Sequence, residues 1–123
     1  MATGQVRSST RAITGWTGTD VAVDAGRALV AVLGYLPPVH VQNDVDAYAF
    51  GELCRGAARG ITDVLVVAVG TGIGASVVLG GEVRRGRTGA AGELGHVPVV
   101  GAAHLTCSCG WPGHLEAIGC GAG

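Results

Sequence analysis

The chain has 123 residues and near-neutral charge, with eight Arg, no Lys and nine acidic residues, and its 48% hydrophobic content is mostly Ala and Val among 23 scattered glycines. That length suits one domain with a real core; the missing lysine excludes a phosphate-binding P-loop, and the charge balance excludes the footprint of a nucleic-acid or acidic-membrane binder. No apolar run reaches membrane-spanning length and "MATGQVRSSTR" has no signal-peptide core, so the chain reads as cytoplasmic, where cysteine clusters bind metal more often than they pair.

Residues 1–18 read as polar loop. "DVAVDAGRALVAVLG" then sets Val21, Ala25, Ala28, Leu29 and Val32 at helical spacing, with Thr17 or Thr19 as the cap and "LPP" as the stop. "VHV" (Val39 to Val41) is a short strand, and "NDVDAYAFGELCRGAARG" a second helix ending near Gly60. "DVLVVAV" is apolar on consecutive residues, the pattern of a central strand buried on both faces. After "GTGIG" comes "ASVVLGGEVRRG", where Gly80-Gly81 marks a hairpin and "RRGR" (Arg84 to Arg87) a solvated turn. Glycine-rich loop follows until "HLEAIG" starts a last helix. The expectation is an α/β unit with a mixed sheet and no internal repeat, one partial domain over 1–123.

His96, Cys107, Cys109 and His114 form H-x10-C-x-C-x4-H. Two thiolates and two imidazoles complete a tetrahedral Zn²⁺ set, and four protein ligands leave no open position, so the ion would be structural. Gly110 and Gly113 lend the loop its backbone freedom. A pair of reduced thiols beside unrelated histidines is the plainer alternative, and His104 is a spare donor within the loop 96–114. Cys54 and Cys120 have no partners at ligand spacing and read as ordinary buried or tail cysteines.

Asn43 and Asp44 fall where a strand hands over to a helix. A carboxylate there can meet a ligand at the carboxyl end of a sheet and take a proton from a hydroxyl nucleophile, or it can simply cap the helix. Asp46, two residues on, reads as part of the exposed helix face. Gly70-Thr71-Gly72-Ile73-Gly74 satisfies a dinucleotide-type glycine spacing, but a hairpin rather than a helix follows, so the dinucleotide reading fails. A glycine turn between strands can still offer N–H groups to phosphate oxygens, with Thr71 adding a hydroxyl; a tight hairpin is the alternative.

The order of these pieces, N-D, then G-T-G-I-G, "GAAGELGH" and "CSCGWPGHLEA", resembles the ROK family of repressors, open reading frames and sugar kinases over roughly residues 13–118. The resemblance implies an actin-like ATPase fold and ATP- and Mg²⁺-dependent phosphorylation of a hexose. It implies Asp44 as catalytic base, and Asn43, Asp44, Glu93, His96 and Glu116 around the sugar. Gly70, Thr71, Gly72 and Gly74 would lie at the ATP phosphates, and His96, Cys107 and Cys109 would be zinc ligands, with His114 standing where the family usually has cysteine. Asp44 then reads as a base before it reads as a cap. The zinc loop is expected to clamp the segment bearing Glu93 and Glu116. The family's D-x-G-x-T loop has no counterpart here, so the chain reads as a central fragment that would turn over ATP inefficiently by itself. A sugar-sensing regulator of the same family and a non-catalytic zinc-stabilised remnant are the alternatives. The resemblance also implies a homodimer or a larger assembly as the expected partner state.

Overall fold

A computed structural model describes residues 4–7, 9 and 13–121, so part of the expected leading loop lies outside the described residues. The chain divides into two compact units, Met1–Gln42 and Asn43–Gly123.

The first unit is built on helix α1 (Val21–Leu33). Asp20, not Thr17 or Thr19, caps it, its carboxylate accepting from Val23 N–H at 3.1 Å. The helix stops before "LPP" because Gly34 takes a left-handed φ of 76° and returns its N–H to Val30 O. Helical spacing located this element correctly, but Val32 on the expected apolar stripe is 82% exposed. The expected strand at Val39–Val41 is absent: 36–43 carry no regular structure, since a strand needs a ladder partner and none of the described residues supplies one.

The second unit opens on α2 (Asp44–Arg55). It ends short of Gly60 because the Glu52 carboxylate accepts from Ala57 N–H at 2.7 Å, closing the last turn against the helix. Strands β1 (Val64–Val69), β2 (Ile73–Leu79) and β3 (Glu82–Arg84) follow as an antiparallel sheet in the order β1-β2-β3. The expected mixed sheet is therefore antiparallel among the described residues, because both connections are tight glycine turns, and parallel strands need a crossover. Gly80 and Gly81 take φ of 65° and 78° in the β2–β3 turn, a conformation open to glycine at little cost.

Cross-strand pairing puts Val64, Val66 and Ala68 on the same face as Val78, Ser76 and Gly74. That face receives α2, through Val45, Asp46 and Ala49. β1 is therefore not buried on both faces: it lies at the sheet's edge, and Leu65, Val67 and Val69 of its other face are 56%, 45% and 65% exposed. The all-apolar run misled because consecutive aliphatics do not say which face is covered. A short 3-10 turn, Leu94–His96, and helix α3 (Glu116–Gly119) complete the unit. No described helix is long and apolar enough to cross a membrane.

Candidate functional site

The glycine turn Gly70–Gly74 joins β1 to β2, and three segments of the second unit converge on it. The first turn of α2 arrives from one side: a Cβ on Gly74 would stand 2.6 Å from the Val45 side chain, so only glycine admits this contact. The "GELGH" segment runs beside β2 beyond the residues that β3 pairs. Gly92 O accepts from Ala75 N–H at 3.0 Å, and a Cβ on Gly95 would lie 2.2 Å from Ile73 O. The motif's glycines thus serve close backbone approach. The third segment is α3, whose Glu116 Oε2 accepts from Ile73 N–H at 3.0 Å, while Gly121 N–H donates to Gly70 O at 2.7 Å.

At the front of α2, Asn43 is the cap, its side-chain oxygen accepting from Val45 N–H at 2.9 Å and Asp46 N–H at 3.3 Å. Asp44 is the first helical residue, exposed, with Oδ1 accepting from Val45 N–H at 2.9 Å. The cap and the expected base are thus separate residues, and Asp44 keeps its carboxylate at the surface.

Asp46 corrects the reading of an exposed helix face. It is 7% exposed and its carboxylate receives the Ser76 hydroxyl at 2.7 Å and Arg85 Nε at 3.3 Å. Arg85 is accordingly half of an ion pair and not a member of a purely solvated turn. The pattern offered one unused signal, a lone serine within the apolar run "ASVVL" at a position sharing the α2 face.

His96, Cys107, Cys109 and His114 each offer a ligand atom, and these atoms lie within 4.8 Å of one another, a group that could hold a metal ion. The Cys107 Sγ to His96 Nδ1 distance is 3.5 Å, and Cys109 Sγ to His114 Nδ1 is 3.3 Å. Short bridges Pro98↔His114 and Thr106↔Pro112 close the loop, and Gly110 and Gly113 adopt φ of 94° and 81° within it. His104 is exposed and outside the cluster, and Cys54 is exposed where a buried or tail position was expected. Burial pushes the Cys107 thiol above its ordinary range.

Two carboxylates border this cluster. Glu93 Oε2 stands 3.7 Å from His96 Nε2 and is half exposed. Glu116 is 9% exposed, and Oε1 receives the Ser108 hydroxyl and, at 3.6 Å, Cys107 Sγ. Burial pushes the Glu116 carboxyl upward, but bonds from Ser108, the Ile73 amide and Cys107, with the His96 ring nearby, outweigh burial and hold it below the usual carboxylate value. Ser108, the spacer of C-x-C, was not singled out by its residue type; its role needs the loop to curl.

The ROK family model matches residues 21–123. A glucokinase of Halalkalibacterium halodurans is 40% identical over 81 residues, 66% of this chain and 24% of that protein. The xylose repressor of Bacillus subtilis is 37% identical over 82 residues, 67% of this chain and 21% of the repressor. A crystal structure of a ROK family glucokinase from Streptomyces griseus in complex with glucose and AMPPNP superposes with a TM-score of 0.66 at 34% identity, covering 93% of this chain and 36% of that one. The chain thus spans about a quarter of the length of the curated glucokinase, and its α/β architecture is a part of the actin-like ATPase fold of ROK sugar kinases. By the match over most of its length and the likeness of its fold, the chain belongs to the ROK family.

Proposed function

We propose that this chain is the sugar- and phosphate-handling segment of an ATP-dependent hexose kinase. The observation that carries the reading is the convergence on one glycine turn of the α2 N-terminus, the Glu93–His96 segment and Glu116. A kinase needs its acceptor hydroxyl, its base and its phosphate contacts within one small volume, since phosphoryl transfer is accelerated chiefly by positioning and charge stabilisation. Asp44 takes the proton of a hexose hydroxyl as that oxygen bonds to the γ-phosphorus of ATP, and the bond to the ADP oxygen breaks. Asn43, Glu93, His96 and Glu116 bind the sugar's other hydroxyls, and the amides of Gly70–Gly74 with Thr71 meet phosphate. Mg²⁺ would supply neutralisation of the phosphate charge. The glucokinase solved with glucose and AMPPNP supports this choice of substrates.

The four-donor cluster fits Zn²⁺. Tetrahedral bonds of about 2.0 Å to nitrogen and 2.3 Å to sulfur separate neighbouring ligand atoms by roughly 3.3–3.8 Å, and the two S···N distances of 3.5 and 3.3 Å lie at that spacing. The set is closed, so the ion holds the loop, and with it His96 and the neighbourhood of Glu116, without entering the chemistry.

The repressor that matches a similar length of this chain makes sugar sensing without transfer the second reading. Glucose binding by calorimetry, followed by an ATP-dependent phosphorylation assay, separates the two. A kinase segment binds glucose and transfers phosphate slowly, and Asp44→Asn lowers that transfer by about 10²–10⁴-fold while keeping the sugar. A sensor binds glucose equally in both forms and transfers nothing. Absence of any hexose binding overturns both.

A further inference from the structure

Helix α3 is strapped to the glycine turn by Glu116 and Gly121, and Glu116 is in turn held by the metal loop. Ile73 N–H donates to Glu116 Oε2 at 3.0 Å, and Gly121 N–H to Gly70 O at 2.7 Å. A Cβ on Gly72 would lie 2.6 Å from Glu116 Oε2, so the turn's glycine is what admits the carboxylate. On the other oxygen, Oε1, Glu116 accepts the hydroxyl of Ser108, which sits between Cys107 and Cys109. One carboxylate thus bridges a loop made of metal-ligand residues and a turn expected to meet phosphate.

A glutamate side chain has several free torsions, and one oxygen stays aimed at a distant amide only if the other is held. Ser108 does most of the holding, through a charge-assisted bond of the stronger kind, with Cys107 Sγ as a weaker contact at 3.6 Å from the same oxygen. Its own position depends on its flanks: Cys107 N–H donates to Trp111 O at 2.9 Å and Gly110 N–H to Cys107 O at 2.8 Å, while an ion shared by buried Cys107 and exposed Cys109 would fix the two side chains on either side of Ser108. We propose that Ser108 is a positioning residue, linking occupancy of the four-donor site to order in the Gly70–Gly74 turn through Glu116. The inference rests on the reading of His96, Cys107, Cys109 and His114 as a metal site.

The test is amide hydrogen exchange on the full 123-residue chain, zinc-loaded and chelated, with zinc stoichiometry measured on the same samples. Zinc should slow exchange at Ile73 and its turn neighbours about tenfold or more, relative to the Gly80–Gly81 hairpin, which makes no contact with the loop in the bonds described. Ser108→Ala should still bind zinc but lose most of that selective slowing, and Ser108→Thr, which keeps the hydroxyl, should restore it. Zinc bound with equal turn protection in Ser108→Ala overturns the role of Ser108. Should that variant fail to fold, the parent chain decides: uniform slowing of turn and hairpin overturns the link. A chain that binds no zinc overturns the metal reading itself, which the stoichiometry distinguishes.

Discussion

The Ser76 hydroxyl donates to Asp46 across 2.7 Å, with Ser76 fully buried and Asp46 7% exposed, fastening the first turn of α2 to the middle of β2. Asn43 and Asp44 ride on that same turn, so the pair sets where the proposed base stands. Arg85 supplies the second partner of the carboxylate at 3.3 Å. Ser76→Ala leaves a buried carboxylate short of one donor, and we expect a loss of about 1–3 kcal/mol, read from the urea midpoint. A change below about 0.5 kcal/mol would mean that Arg85 alone satisfies Asp46.

Two glycines to alanine should move stability in opposite directions. Gly51 lies mid-helix in α2, exposed, with nothing within 4 Å of a built Cβ, so Gly51→Ala should stabilise by about 0.5–1 kcal/mol through helix propensity and the unfolded chain's entropy. Gly95→Ala forces a Cβ to within 2.2 Å of Ile73 O, a backbone atom that cannot step aside. It should destabilise by about 1–3 kcal/mol. Paired thermal melts check both signs at once.

Each of His96→Ala, Cys107→Ala, Cys109→Ala and His114→Ala should reduce zinc below one equivalent after competition with a chelator, whereas His104→Ala and Cys54→Ser should leave it unchanged, since neither belongs to the cluster. His114→Cys keeps four donors and adds a thiolate. Its cobalt-substituted form should show a thiolate charge-transfer band stronger by about half, in proportion to the sulfur count.

Gly72→Ala should weaken or break the bond between Glu116 and Ile73, because the new methyl would stand 2.6 Å from Oε2 and push the carboxylate away. We expect about 1–2 kcal/mol of lost stability, together with faster exchange at the Ile73 amide. Unchanged Ile73 exchange would show that the carboxylate shifts without releasing the turn.

The residues themselves determined the elements whose signals are local. α1, α2, the two glycine turns and the C-x-C loop depend on helical period, on caps such as Asn43, and on Gly80-Gly81, all read within a few positions of the chain. That His96, Cys107, Cys109 and His114 can gather in one loop was legible for the same reason, as thiol and imidazole spacing is a property of sequence. What the tertiary structure decided is which faces are covered and which distant groups meet. It made β1 an edge strand despite its apolar run, denied a ladder partner to Val39–Val41, and turned Asp46 inward onto Ser76, 30 residues away. It also joined Glu116 to Ile73 across 43 residues. Such pairings follow from the packing of layers, and no periodicity or propensity encodes the partner at the far end of a buried hydrogen bond.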